Sequence, residues 1–279
     1  MSAVQTLLAR RFRLDVTLDT IGAALLALIW VAPLVFALWA SFTPSGQALN
    51  FGHGVQLTLE NYEKAWSSAP WILYFRNTLL LVTFTLAGQF FFCTLAAYAF
   101  ARFSFFGREA VFVAVLLQLF ILPEVLIVEN YAMVSRLHLF DSVAAMGLPY
   151  VASAFGILLL RQAFKSVPVE LEEAARIEGC GWLGVLWRVY VPSSKPVYLA
   201  YALVSVSTHW NNFLWPLIVT NSVNTRPVTV GLSLFAAPES GVNISTISAA
   251  TVMVIALLLI AFLIFQRQFV QAFLRAGIR

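Results

Sequence analysis

The sequence predicts an all-α, polytopic membrane protein: six transmembrane helices, both termini cytoplasmic, and one long cytoplasmic loop folded into a helical bracket. Three observations lead there. Long stretches lack any charged residue, lysines and arginines concentrate in alternate loops, and a charged, glycine-broken segment, EEAARIEGCGWLGVLWRVYVP at 172–192, interrupts an otherwise oily chain. Of all residues 61% are hydrophobic and 11% charged, whereas soluble domains carry about 25% charged residues. A bilayer core about 30 Å thick needs about 20 apolar residues per helical crossing.

The first span is TIGAALLALIWVAPLVFALWA, within a charge-free gap from Asp19 to Glu60. A signal peptide is the competing reading, because Arg10, Arg11 and Arg13 precede it. Its apolar part exceeds a signal h-region and no A-x-A site follows, which favours an uncleaved anchor. The second span lies between Arg76 and Arg102 and the fourth between Asp141 and Arg161. The fifth runs from Lys195 towards Arg226, and the sixth fills the gap from Glu239 to Arg267. Only the third is irregular: AVFVAVLLQLFILP from Ala110 is followed by Glu124 and Glu129, two carboxylates that lipid does not tolerate. These spans define a cytoplasmic tail at 1–18, a six-helix membrane domain at 19–270 with its loop at 162–195, and a cytoplasmic tail at 271–279.

Lys and Arg in short loops stay on the cytoplasmic side. With the N-terminus inside, 13 of the 17 fall there, and Lys64, Arg76, Arg136 and Arg226 fall outside. The net charge of +4 is thus a topology signal and not a nucleic-acid footprint. Cys93 in the second span and Cys180 in the loop have no metal spacing and no partner within the chain.

The loop reads as two helices. Pro168 suits a first helical turn, and Glu170, Glu172 and Glu173 complement the positive end of the helix dipole. Gly179 stops the helix in a left-handed C-cap, Gly181 adds a second soft point, and WLGVLWRVY forms a short second helix running to Pro192. Ala174, Ala175, Ile177, Trp182, Leu183 and Leu186 are expected to expose small and apolar surface. An interfacial hairpin with Trp182 and Trp187 in the headgroups and a docking knob for a cytoplasmic partner both fit.

The pattern of Glu173-Ala174-Ala175, three residues, Gly179, nine residues, Val189, then Val191-Pro192 resembles the EAA loop of membrane subunits of binding-protein-dependent ABC importers. RLHLFDS at 136–142, ASAFGILLLRQAF at 152–164 and WNNFLWPLIVT at 210–220 are similar to the carbohydrate-uptake branch, which includes maltose and glycerol-phosphate permease subunits. Glu178, Cys180, Val189 and Val191 depart from the usual Asp, Ala, Ile and Leu, all in similar character, while Asn130 stands where many members have proline. The resemblance implies that Glu173, Ala174, Ala175, Gly179 and Pro192 belong to a coupling element seated in a groove of an ATP-binding subunit. It also implies a bacterial inner-membrane location, a second homologous permease chain, two ATP-binding subunits and a periplasmic solute-binding protein. No phosphate-binding G-x-x-x-x-G-K-[ST] occurs. The chain is therefore expected to bind no cofactor and to lack an ATPase site, with ATP and Mg held by the partner subunits.

Intramembrane polar residues are candidates for the solute path. His209 lies about 13 residues into the fifth span, roughly 20 Å at the helical rise, and Glu124 reaches a comparable depth on the third. Glu124, His209, Asn211 and Asn212 are expected to ring a central cavity, with Trp210 and Trp215 able to stack on sugar rings. Interhelical hydrogen bonding by the two asparagines, and pairing of Glu124 and Glu129 with Arg136 or a sister permease, are the structural alternatives. The leading expectation is one permease subunit importing a sugar or sugar-like solute, with neutral sugars favoured. The rival is a proton-coupled secondary carrier using Glu124 and Glu129, which leaves the bracket without a purpose.

Overall fold

A computed structural model describes residues 3–49, 56–237 and 241–277, with side chains from 19 to 264 except 261. Arg267, Arg275 and Arg279 of the expected C-terminal tail, and Arg10, Arg11 and Arg13 of the N-terminal one, have side chains outside the described set. All regular structure among the described residues is helical, as expected.

Among the described residues, three helices are long and apolar enough to cross a membrane: residues Asp19–Phe42 of α1 (Ala3–Phe42), α3 (Trp71–Arg102), and Ile244–Ile264 of the last helix. Two bent pairs raise the number to five if each is one crossing. The first pairs α4 (Arg108–Leu117) and its 3-10 extension to Phe120 with Pro123–Leu126 and α5 (Ile127–Arg136), across a 98° bend. The cause is Pro123, which drives Leu122 into extended backbone at φ −65°, ψ 135° and lacks the N–H that would continue the helix. The third span was expected to be irregular because of Glu124 and Glu129; the break itself lies just before them, at Pro123. The second pair, α6 (Val143–Gly147) with residues 148–150, and α7 (Ala154–Lys165), bends by 52°. Ser153 caps α7 by accepting the Gly156 N–H at 3.2 Å.

The expected fifth span is also divided, into α11 (Lys195–Trp210) and α12 (Leu214–Val219). Pro216 has no N–H to offer the Asn212 carbonyl, which accepts instead from Thr229 Oγ1 at 2.8 Å. Between α7 and α11 lie α8 (Val169–Ile177), α9 (Trp182–Val185), a π-helical turn at Leu186–Tyr190, and α10 (Val191–Ser193). The second arm of the bracket thus passes Pro192 and leads into α11.

The chain divides into two compact units. One comprises residues 1–69 and 235–255. In it Asn61, on α2 (Glu60–Ser68), donates to the carbonyls of Ser41 and Thr43 at 3.0 and 2.7 Å, satisfying acceptors that the end of α1 leaves unpaired. The other, residues 70–234 with 256–279, holds the packed core. One cluster joins Tyr98, Phe100, Phe112, Leu160, Phe164, Val185, Leu186 and Tyr190. A second cluster gathers Leu81, Val134, Met146, Trp215 and Val219. Helix α7 packs closely on α3 and α11 at Gly156, where a Cβ would lie 2.6 Å from Tyr201 Cζ.

Candidate functional site

Two regions carry the expected site residues. At the bracket, α8 opens after Pro168 and ends in a Schellman motif: Cys180 N–H bonds the Ala175 carbonyl at 3.0 Å and Gly179 N–H bonds that of Arg176 at 2.9 Å. Gly179 has φ +84°, the left-handed conformation anticipated for it. Glu173 and Ala174 are exposed, Ala175 is half-buried, and Ile177 is 88% exposed. Trp182 and Leu183 also face outward. Leu186 does not: with its neighbour Val185 it is fully buried in the cluster that joins Tyr98, Phe164 and Tyr190, which corrects the expected exposed surface.

Glu173 makes no ion pair among the described residues. The carboxylate that braces the loop is its neighbour Glu172, 7% exposed, whose place in the first turn pointed only to a dipole partner. Glu172 Oε1 accepts from Arg176 at 2.6 Å, and its Oε2 accepts from the Tyr190 hydroxyl. Burial, then the hydrogen bond to Glu172, pushes the Tyr190 phenol well above its ordinary range, so it stays a donor. Arg102 approaches Glu172 at 3.7 Å and donates to the carbonyls of Phe164 and Val167 at 3.2 and 2.6 Å.

The second region is a pair of adjoining cavities of about 290 and 430 Å³ that share Pro123, Tyr150, Thr208 and His209. The larger brings together five of the expected path residues: Glu124, His209, Asn211, Asn212 and Trp215. Trp210 is not among them. It is 5% exposed, its ring 6.3 Å from that of Phe75, so it packs between helices and lines neither of these two cavities. Trp215 borders the cavity but is 2% exposed, with its indole N–H donated to the Ala145 carbonyl at 3.1 Å, which leaves little ring face for a sugar. Asn211 Nδ2 donates to the Ser207 carbonyl of its own helix at 2.8 Å. Glu124 and Glu129 are exposed and form no ion pair with Arg136 among the described residues.

Gln89, not among the residues expected to line the path, organises this region from α3. Its amide nitrogen donates to the Tyr150 carbonyl at 2.8 Å and lies 3.1 Å from His209 Nε2, and its oxygen accepts from Ser205 at 2.6 Å. The Tyr150 carbonyl fixes the amide orientation, so His209 Nε2 is an acceptor and the imidazole is neutral. Gln89 was legible as a polar residue inside an apolar run, by the rule that singled out His209.

Outside these regions, Asp141 of RLHLFDS organises the turn after α12. Its Oδ1 accepts the N–H groups of Asn221 and Ser222 at 2.9 and 3.0 Å and the Thr225 hydroxyl. The residue sits at φ +58°, a region Asp tolerates better than most side chains.

The family model of binding-protein-dependent transport system inner membrane components matches residues 6–275. The chain belongs to this family. The permease is therefore an inner-membrane protein. It is 30% identical over 266 residues to the arabinooligosaccharides transport system permease protein AraQ of Bacillus subtilis (strain 168), covering 93% of the permease and 94% of that relative. To the sn-glycerol-3-phosphate transport system permease protein UgpE of Yersinia enterocolitica it is 28% identical, with 88% and 92% covered. In fold the permease matches a chain of a bacterial ABC transporter involved in the import of the acidic polysaccharide alginate, at a TM-score of 0.82 and 22% identity, over 93% of the permease and 98% of that chain. A second alginate transporter structure, in complex with an alginate pentasaccharide-bound periplasmic protein, matches at a TM-score of 0.63 and 17% identity, over 91% and 97%.

Proposed function

We propose that this permease is one of two membrane subunits of an ATP-driven importer that moves a sugar or sugar-like solute from a periplasmic binding protein into the cytoplasm by alternating access. The observation that carries the reading is α8: its exposed face of Glu173, Ala174 and Ile177 stands free of the core while its opposite face is locked into it. Small side chains allow close helix approach, and the open space around Gly179 admits a partner surface. In this reading Glu173, Ala174, Ala175, Gly179 and Pro192 form the coupling element. ATP and Mg reside on two partner ATP-binding subunits, and a second homologous permease completes the path. The three long helices, the two bent pairs and the divided α11–α12 make six crossings with both termini cytoplasmic.

Glu124, His209, Asn211 and Asn212 line the solute path on this chain. No lysine or arginine borders either cavity, and His209 is neutral. An anionic cargo would meet Glu124 without a compensating cation from this subunit, which favours a neutral, hydroxyl-rich solute. The names of the relatives, one an arabinooligosaccharide permease, support the carbohydrate class.

The test is gentle-detergent purification from native membranes with mass spectrometry of what copurifies, followed by uptake in vesicles depleted of ATP with the proton gradient kept. A P-loop ATPase and a second permease at defined stoichiometry, with uptake abolished by depletion, are expected. Recovery of the chain alone under conditions that preserve known complexes, or uptake that survives depletion, would overturn the proposal in favour of a proton-coupled carrier.

A further inference from the structure

Three glutamates of α8 lie on its surface or inside it, and their environments differ sharply. Glu170 and Glu173 are exposed and unpaired among the described residues, while Glu172 is buried. A hairpin merely resting in the headgroups has no need to bury a carboxylate, because an amphipathic helix presents its charges to water. Burial is costly unless the charge is paired and hydrogen-bonded, and here the partners come from three separate elements.

Arg176, which holds Oε1, also lies 4.0 Å above the Trp182 ring and so clamps α8 to the start of the second arm. Tyr190, which holds Oε2, is fully buried, with its ring centroid 5.2 Å from Tyr98 on α3 and 5.5 Å from Phe164 on α7. Arg102, the last residue of α3, stands 4.8 Å from the Tyr190 ring centroid and bonds the carbonyls that end α7. Its Nε, at 3.7 Å from Glu172, is close enough for an ion pair but has no hydrogen-bond acceptor. The side-chain links that these residues make from α8 to the ends of α3 and α7 and to the arm leading to α11 therefore converge on one carboxylate.

We propose that Glu172 is a positioning residue of the transport cycle, fastening α8 to α3, α7 and the Tyr190 arm so that a displacement of α8 moves those helices as one body. The inference rests on the importer reading given above. Loss of the fastening leaves the docking face of α8 intact, so ATP-binding subunits still assemble and hydrolyse ATP, but their motion no longer reaches the membrane helices.

The experiment uses the whole complex in proteoliposomes and reads solute transported per ATP hydrolysed. Glu172→Gln keeps the size of the side chain and removes its charge; Tyr190→Phe removes one hydrogen bond; Glu170→Gln is the exposed control. For Glu172→Gln the ratio is expected to fall about tenfold, inside the range of couplings between distant sites, with ATP hydrolysis retained. Tyr190→Phe should fall less and Glu170→Gln should match wild type. An unchanged ratio in both Glu172→Gln and Tyr190→Phe, or transport and hydrolysis falling in parallel, would overturn the proposal, since a purely structural role leaves the ratio alone. If Glu172→Gln does not assemble, Tyr190→Phe alone decides by the same criterion. Absence of ATP-dependent uptake in the wild-type complex would instead refute the importer reading itself.

Discussion

Arg161 grips Glu109 with one terminal nitrogen, 2.9 and 3.0 Å from the two carboxylate oxygens, while its Nε donates to the Phe100 carbonyl at 3.2 Å and its guanidinium stacks 3.9 Å from the Phe112 ring centroid. One side chain thus joins α7 to the start of α4 and the last turns of α3. Arg161 is 8% exposed, whereas the Glu109 side chain is 59% exposed. The two ends of the pair should respond unequally. Arg161→Leu leaves a buried carbonyl unpaired and should cost about 2 kcal/mol, read as a lower thermal unfolding midpoint of the purified complex. Glu109→Gln should shift that midpoint far less.

Asp141 should make the turn after α12 acid-sensitive. Burial opposes its ionisation, but the hydrogen bonds from Thr225, Ser222 and Asn221 outweigh it and hold the carboxyl well below the usual carboxylate range. The folded value is depressed, so the stabilisation is fully present above the unfolded value near about 3.9 and is lost as pH falls from there through the folded value. Asp141→Asn keeps a side chain suited to φ +58° and removes the charge. Amide exchange of residues 219–225, followed as pH is lowered, should speed up in wild type and change little in Asp141→Asn.

Gly156 should reject any side chain. A Cβ there would stand 2.6 Å from Tyr201 Cζ and 3.1 Å from Cys93 Sγ, so α7 would have to move away from α3 and α11. Gly156→Ala is expected to cost about 1–3 kcal/mol as overpacking. Gly181→Ala, with nothing within 4 Å of the added atom, should be nearly neutral in the same thermal assay.

Gly179→Asp acts differently. The position has open space but φ +84°, so an aspartate costs some backbone strain and adds a charge to the face read as the docking surface. Copurification of the ATP-binding subunits should drop, or uptake should uncouple from hydrolysis. Unchanged uptake would remove Gly179 from the coupling element.

In the cavities, Glu124→Gln should raise the substrate concentration for half-maximal uptake about tenfold without affecting subunit assembly, because the carboxylate is exposed and forms no ion pair among the described residues. Trp210→Phe should leave that concentration unchanged, since the ring packs against Phe75.

The sequence by itself determined the membrane class, the existence of the apolar helices, the irregular third span and the bracket with its left-handed turn at Gly179. These follow from local physics: run length, the missing N–H of proline and the permissiveness of glycine are properties of a residue and its neighbours. The tertiary structure decided which polar groups face a cavity and which serve as braces. Neighbouring Glu172 and Glu173 are the same residue type, yet one is buried against Tyr190 and Arg102 and the other is exposed, because their directions depend on where α3 and the π-turn lie. Trp210 and Leu186 were misplaced for that reason: each sits on a helix whose neighbours, Phe75 for the one and the cluster of Tyr98 and Phe164 for the other, are known only from the packed fold. Gln89 meets His209, 120 positions along the chain, only once the helices have packed.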